Sequence, residues 1–218
     1  MYIPASFKVS DLTRLHRFIR EHSFGQLTTV RDGAPFVSHV PMLLEDAPAP
    51  HGSLLGHIAR ANPQWQGADG QQVLAIFTGP HAYVSPSFYE AENVVPTWNY
   101  VAVHVYGALH VLEDAESLTA ILQKSVVAYE QDRENPWTLD PSSPYFEKMI
   151  HAIVGFRIDI TRIEGKWKLS QNQPPERRAK VRRALAGSSN PEDLAIAQLM
   201  NEQPEELDQD QETPELGS

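Results

Sequence analysis

The stretch TWNYVAVHVYGALHV, from Thr97 to Val111, sorts into two unlike sets when read at every second residue. Val101, Val103, Val105, Gly107, Leu109 and Val111 are almost pure hydrocarbon. Trp98, Tyr100, Ala102, His104, Tyr106, Ala108 and His110 are mostly rings with polar tips. Successive side chains of a strand point to opposite faces, so this pattern predicts one long strand with a core face and an aromatic face. A contiguous row of rings in water is unusual unless something covers it. A dimer interface, a flat aromatic ligand, both at once, or a second small core under inserted helices would each satisfy it.

Shorter elements surround this strand. FGQLTTV and FVSHVPMLLE flank RDGAP, where Asp32-Gly33 supplies the positive φ angles of a tight hairpin. SLLGHIAR, QQVLAIFTG and HAYVS read as further strands, and GFRIDITRIEGKWKLSQN as two strands turning at Glu164-Gly165. A helix is expected after Ser10, with Leu12, Leu15, Phe18 and Ile19 on one face. Another should follow Asp114, with Leu118, Ile121, Leu122, Val126 and Tyr129 as its stripe. SSPYFEKMIHAIV, PPERRAKVRRALAG and NPEDLAIAQLMNEQ complete the helices. Six or seven strands with helices inserted rather than alternating predict a mainly β fold with α additions, a barrel and not a doubly wound sheet.

Several chemistries are excluded by what is missing. No cysteine occurs, which removes disulfides and thiolate metal sites. The nine histidines include no HExxH and no helix-face pair, so no metal is expected. GxSxG and GxGxxG are absent, and no residue is singled out as catalytic. MYIPASFKVSDL has neither the basic nor the apolar region of a signal peptide, and no apolar run nears the ~20 residues of a membrane span. The expectation is a soluble, cytoplasmic protein with no membrane partner.

The formal charge of -10 is concentrated at the end of the chain. Seven acids and no bases follow from Glu202 onward, leaving 21 acids against 18 bases elsewhere. This tail is too polar to join a core and is expected to be disordered. A chain ending near Gln203 should therefore keep its full thermal stability; a large drop in the midpoint would contradict that reading. Whole-chain charge does not decide whether nucleic acid is a partner, because the remainder is near neutral.

Three segments can carry binding chemistry. In GHIARANPQW a strand is expected to end at Arg60, with Asn62-Pro63 opening a helical turn. A guanidinium beside that turn suits a phosphate, although a capped turn with a solvated arginine is the plainer alternative. In TRIEGKWKLSQN, Lys166, Lys168, Ser170 and Asn172 share one face, which fits an anion and an amide-rich heterocycle, or an ordinary wet strand. The aromatic face of Thr97–Val111 is the third. ERRAKVRRA adds a basic cluster, Arg177, Arg178, Lys180, Arg182 and Arg183, which fits DNA phosphates or a salt-bridged helix.

MYIPASF, GHIARANPQW, YVSPSFY with VPTWNYVAVHVYG, and ITRIEGKWKLSQN occur in this order over roughly residues 1–185. Together they resemble the PaiB-type FMN-binding negative transcriptional regulators. The resemblance implies an FMN-binding split β-barrel of six or more strands with peripheral helices, related to pyridoxamine-phosphate oxidases and flavin reductases. It implies a homodimer with flavin at the interface, so that the aromatic face meets the partner and the isoalloxazine. The barrel domain would span 1–187, a C-terminal helix 188–203 and the acidic tail 204–218.

The same resemblance directs the three segments toward FMN. Arg60, beside Asn62, and Lys168 would take the phosphate, with His57 and Ala59 on the strand leading to Arg60. Trp98, Asn99 and Tyr100 would edge or stack on the ring, and Ser170, Gln171 and Asn172 would complete the polar contacts. His39 and Pro41 are outer neighbours. The implied role is a flavin-loaded module that represses sporulation, protease and degradative-enzyme genes. The alternative is an FMN-dependent oxidoreductase, of flavin-reductase or pyridoxamine-phosphate-oxidase type, acting on a small molecule; a haem-degrading relative is a third. DNA as a partner rests on the family label, since no helix-turn-helix and no basic stripe on a strand is read here.

Overall fold

A computed structural model of the chain describes residues 1–48 and 50–202. The acidic tail expected from residue 204 lies outside them. Among the described residues there are eight strands: β1 (Lys8–Val9), β2 (Phe24–Arg31), β3 (Ala34–Pro41), β4 (Leu43–Glu45), β5 (Ser53–Ala59), β6 (Gln72–Val84), β7 (Thr97–Leu112) and β8 (Ile153–Lys168). The helices are α1 (Leu12–Glu21), α2 (Ala115–Glu130), α3 (Pro144–Met149), α4 (Pro175–Ala186) and α5 (Pro191–Asn201). The chain divides into two compact units, Met1–Gly79 with Val101–Lys166, and Pro80–Tyr100 with Trp167–Ser218.

The strands form one sheet in the order β3-β2-β6-β7-β8-β5-β4, with β1 paired to β8. Its two ends, β3 and β4, are consecutive in the chain and parted by Met42 alone. A sheet whose edge strands are joined by one residue has to curl until those edges approach, which makes a barrel. Met42 is fully buried at that corner, and its amide donates to the Ser23 carbonyl at 2.8 Å. β7 fulfils its alternation: Val101, Val103, Val105 and Leu109 are buried in the first unit with Phe77, Leu54, Phe156 and Ile158. Each such side chain is worth about 1.5–3 kcal/mol relative to exposure. Trp98, Tyr100, His104 and Tyr106 alternate with the buried set as exposed or half-buried residues.

Local signals are obeyed where they stand alone. Asp32 (φ 51°) and Gly33 (φ 78°) make the hairpin turn between β2 and β3. Asp114 caps α2 by accepting from the Ser117 amide at 2.8 Å. At α1 the cap is Asp11 and not Ser10, because its carboxylate reaches the Thr13 amide at 2.9 Å and the Arg14 amide.

Long-range pairing overrides other local signals. β6 runs unbroken through Gly79-Pro80, where two strands are expected. Gly79 serves packing there, since a Cβ would lie 2.9 Å from the Phe18 ring of α1. β8 likewise passes straight through Glu164-Gly165, because β1 pairs against it there, with Val9 opposite Gly165. The helix expected over SSPYFEKMIHAIV stops early: Ile153 and Val154 join β8 opposite Ala59 and Ile58 of β5. In the second unit α4 and α5 pack through Val181, Leu185, Ile196, Ala197 and Met200, and Asn190 caps α5.

Candidate functional site

The first unit fixes the turn after β5 from several sides. Arg60 Nε donates to the His151 carbonyl at 2.9 Å and Nη2 to the Ile153 carbonyl at 3.1 Å. Nη1 pairs with Glu113 at 2.7 Å, and the guanidinium lies 5.7 Å from the Trp65 ring. These bonds take three of the five guanidinium N–H groups, and the side chain remains about a third exposed, 35%. Asn62 accepts from the Gln64 amide at 3.0 Å and donates to the Ser38 hydroxyl at 2.8 Å. It caps the short 3-10 turn Pro63–Trp65, as the sequence predicts.

Two further residues hold this turn and carry no local signal in the sequence. Arg31 Nη1 donates to the Pro63 carbonyl at 2.8 Å, which puts a second guanidinium beside the turn. Gln64, 2% exposed, donates to the carbonyls of Leu27 and Phe36 and so ties the turn to the β2–β3 hairpin. The turn is thus a rigid backbone segment flanked by two arginines, a donor set that suits a dianionic phosphate.

The other predicted residues of this unit divide. Ala59 and His39 are exposed, and the His39 ring stacks on Phe24 with centroids 6.5 Å apart. Pro41 is half-buried opposite Phe24. His57 lies opposite Gly155 in the β5–β8 pair. A Cβ on Gly155 would meet Ile121 at 2.9 Å and Leu118 at 3.0 Å, so His57 sits on the face that α2 covers.

Burial there holds the His57 imidazole below its ordinary 6.5. His104 is also lowered, first by burial and then by the Met1 ammonium. Both rings are neutral in the folded protein near pH 7, while the unfolded chain protonates them at about 6.5. The unfolded state therefore binds more protons below that value, and stability is lost as pH falls through 6.5 toward the folded values. The thermal midpoint should fall between about pH 7 and about pH 5, and His57→Gln should flatten the fall. A midpoint that is constant across this window would contradict the assignment.

The second unit places its predicted residues in two groups. Asn99 is fully buried, exchanges hydrogen bonds with the Ser170 hydroxyl at 3.0 and 3.2 Å, and lies 3.8 Å from the Met200 sulfur. Ser170 adopts φ 64°, left-handed backbone, just after β8 ends. Gln171 folds onto its own segment, accepting from the Leu169 amide at 2.7 Å and donating to the Trp167 carbonyl at 2.6 Å. Lys168 donates to the Thr97 hydroxyl and to the Trp98 carbonyl at 2.5 Å. These four brace the ends of β7 and β8.

Trp98, Tyr100 and Asn172 are the outward group. Trp98 is 51% exposed and gathers Tyr83 and His81, with ring centroids 5.7 and 6.0 Å away. His81 and Tyr83 escaped sequence reasoning, although their alternation in HAYVS carried the same signal as β7. Of the basic cluster on α4, Lys180 pairs with Glu90 at 2.8 Å and Arg182 donates to Asn201 at 2.7 Å.

Comparison with known proteins supplies relatives for this arrangement. The profile of the family described as "Putative FMN-binding domain" matches residues 1–162. The chain is 41% identical to "Protease synthase and sporulation protein PAI 2" of Bacillus subtilis, over 93% of this chain and 97% of that one. It is 32% identical to an uncharacterized protein of Emericella nidulans, over 78% of this chain and 84% of that one. Among solved structures, the flavocytochrome Anf3 from Azotobacter vinelandii superposes with a TM-score of 0.58 at 15% identity, covering 87% of this chain and 75% of that one. The FAD and heme binding protein from Mycobacterium smegmatis gives 0.54 at 15% identity, covering 83% and 80%. Likenesses at such identity concern the fold, which is the split barrel.

Proposed function

Because the chain belongs to the FMN-binding domain family, we propose that it is a flavin-loaded binding module that acts in negative regulation of gene expression. The observation that carries this reading is the 41% identity to the Bacillus subtilis protease synthase and sporulation protein along 93% of the chain. When bound, FMN supplies the redox and light-absorbing chemistry, and the protein supplies position and electrostatics.

Arg60 and Arg31, on either side of the Asn62 turn, are the groups we assign to the phosphate. Lys168 is the weaker of the two sequence candidates, since its ammonium is already tied to Thr97 and the Trp98 carbonyl. His39 would lie beside the ligand, with Ala59 leaving the backbone approachable. The half-exposed Trp98, Tyr83 and His81 favour a homodimer, in which a second copy covers rings that water solvates poorly. Among the described residues no helix is long and apolar enough to cross a membrane, and a regulatory role would place the protein in the cytoplasm.

The test is reconstitution of the full chain with FMN, followed by gel filtration with light scattering. Flavin absorbance should travel with protein at the mass of a dimer, and promoter DNA should be retained sequence-specifically at physiological salt. Failure to retain FMN would overturn the flavin assignment. Rapid flavin oxidation and reduction that depends on a small-molecule substrate, with no DNA retention, would replace the regulator by an FMN-dependent oxidoreductase.

A further inference from the structure

We propose that the first unit carries a second ligand site, a cleft between the amino-terminal segment, α1 and β8 that binds a small organic anion with an apolar body. The cleft measures about 500 Å³ and is lined by Ile3, Lys8, Val9, Leu12, His51 and Arg162, among others. That volume lies within the usual range of small-molecule pockets, about 300–1,000 Å³.

Its charges are unbalanced toward the positive. Lys8 faces Lys166 directly across the β1–β8 pair, and like charges placed opposite each other in a sheet are unfavourable. Lys166 is held by the Tyr2 carbonyl at 3.1 Å and lies 5.6 Å from the Tyr2 ring. The Lys8 ammonium makes no hydrogen bond or ion pair among the described residues. The carboxylate that lines the cleft, Glu164, is already shared between Arg162 and the Met1 ammonium, the latter at 2.5 Å. An anion beside Lys8 would give that ammonium a partner.

His51 contributes to the same wall. The Nδ1 atom of His51 is buried and has no hydrogen-bond partner, whereas the residue's carbonyl is fixed by His16 Nε2 at 3.1 Å. Ile3, Val9, Leu12, Leu15 and Ile163 give the wall an aliphatic patch beside the polar Ser10, Arg162 and Glu164. Three cations, Lys8, Arg162 and the Met1 terminus, against the one carboxylate of Glu164 and beside a hydrocarbon patch suit a carboxylate on an aryl or branched alkyl body.

Benzoate and benzyl alcohol, which differ in the charged group, are the probes, titrated into the full-length protein and followed by amide NMR shifts. Benzoate should move the amides of Lys8, Leu12, Ile163 and Gly165, and bind about tenfold more tightly than benzyl alcohol. Lys8→Gln, an exposed change, should abolish that preference and leave benzyl alcohol binding as it was. Saturation with FMN should leave the benzoate titration unaltered. Equal affinity for the two probes, shifts confined to other residues, an unaltered preference in Lys8→Gln, or competition by FMN would each overturn the proposal.

Discussion

Gly107→Ala should lower the thermal midpoint by about 10 °C or more, or prevent folding altogether. A Cβ at this position would stand 2.3 Å from the Asp159 carbonyl oxygen and 2.8 Å from Ile158 Cγ2. The first obstacle is backbone of β8, which cannot swing aside as a side-chain end can. Relief therefore requires β7 and β8 to move apart in the middle of the sheet, next to the Thr161 hydroxyl that donates to the Tyr106 carbonyl at 3.2 Å. Overpacking in a rigid interior typically costs about 1–3 kcal/mol, and a backbone clash in the barrel wall belongs at or above the upper end. Gly187→Ala is the matched control. Its new methyl would meet carbonyl oxygens at 3.6 Å, ordinary contact, at the end of α4. A calorimetric midpoint for Gly107→Ala within a degree or two of the control would show that β7 and β8 part here at little cost.

Arg60→Ala is expected to weaken FMN binding by about 10- to 100-fold while changing riboflavin binding only a few-fold. The two ligands differ in a phosphate carrying roughly -1.5 to -2 charges, so their ratio isolates the contact. The ratio is needed because Arg60 also serves the fold, through the carbonyls of His151 and Ile153. Loss of those bonds would shift the turn and weaken both flavins alike. Glu113→Gln gives an independent reading, since it removes the acid that competes for Nη1. FMN should then bind more tightly and riboflavin should not. Equal losses for both flavins in Arg60→Ala, with no gain in Glu113→Gln, would make Arg60 a structural residue and move the phosphate elsewhere.

How much of the site could be read in advance depends on how local its causes are. The capped turn at Asn62 was legible because a strand end followed by Asn-Pro announces it within four residues. Arg31, Gln64 and Glu113 were not, since each meets that region only through chain distant in sequence. Asn99 offered a warning that its type obscured. It falls in the hydrocarbon register of β7, and a polar residue there is bound to be buried and paired, as it is with Ser170.

The amino-acid order by itself determined the faces of β7, the hairpin at Asp32-Gly33, the caps at Asn62 and Asp114, and the stripe of α1; the stripe read for α2 holds at Leu118 and Ile121 but not at Tyr129, which is 43% exposed. Each follows from side-chain alternation, a permitted φ or a hydrogen bond spanning two to four residues. Tertiary structure alone decided that β6 and β8 continue through Gly79-Pro80 and Glu164-Gly165, and that Ile153 and Val154 leave a helix for a strand. It also decided that Arg60 is clamped by carbonyls about ninety residues away. In each case an unpaired backbone group would be left buried unless a distant strand supplied its partner, and that requirement outweighs the few tenths of a kcal/mol in local propensity.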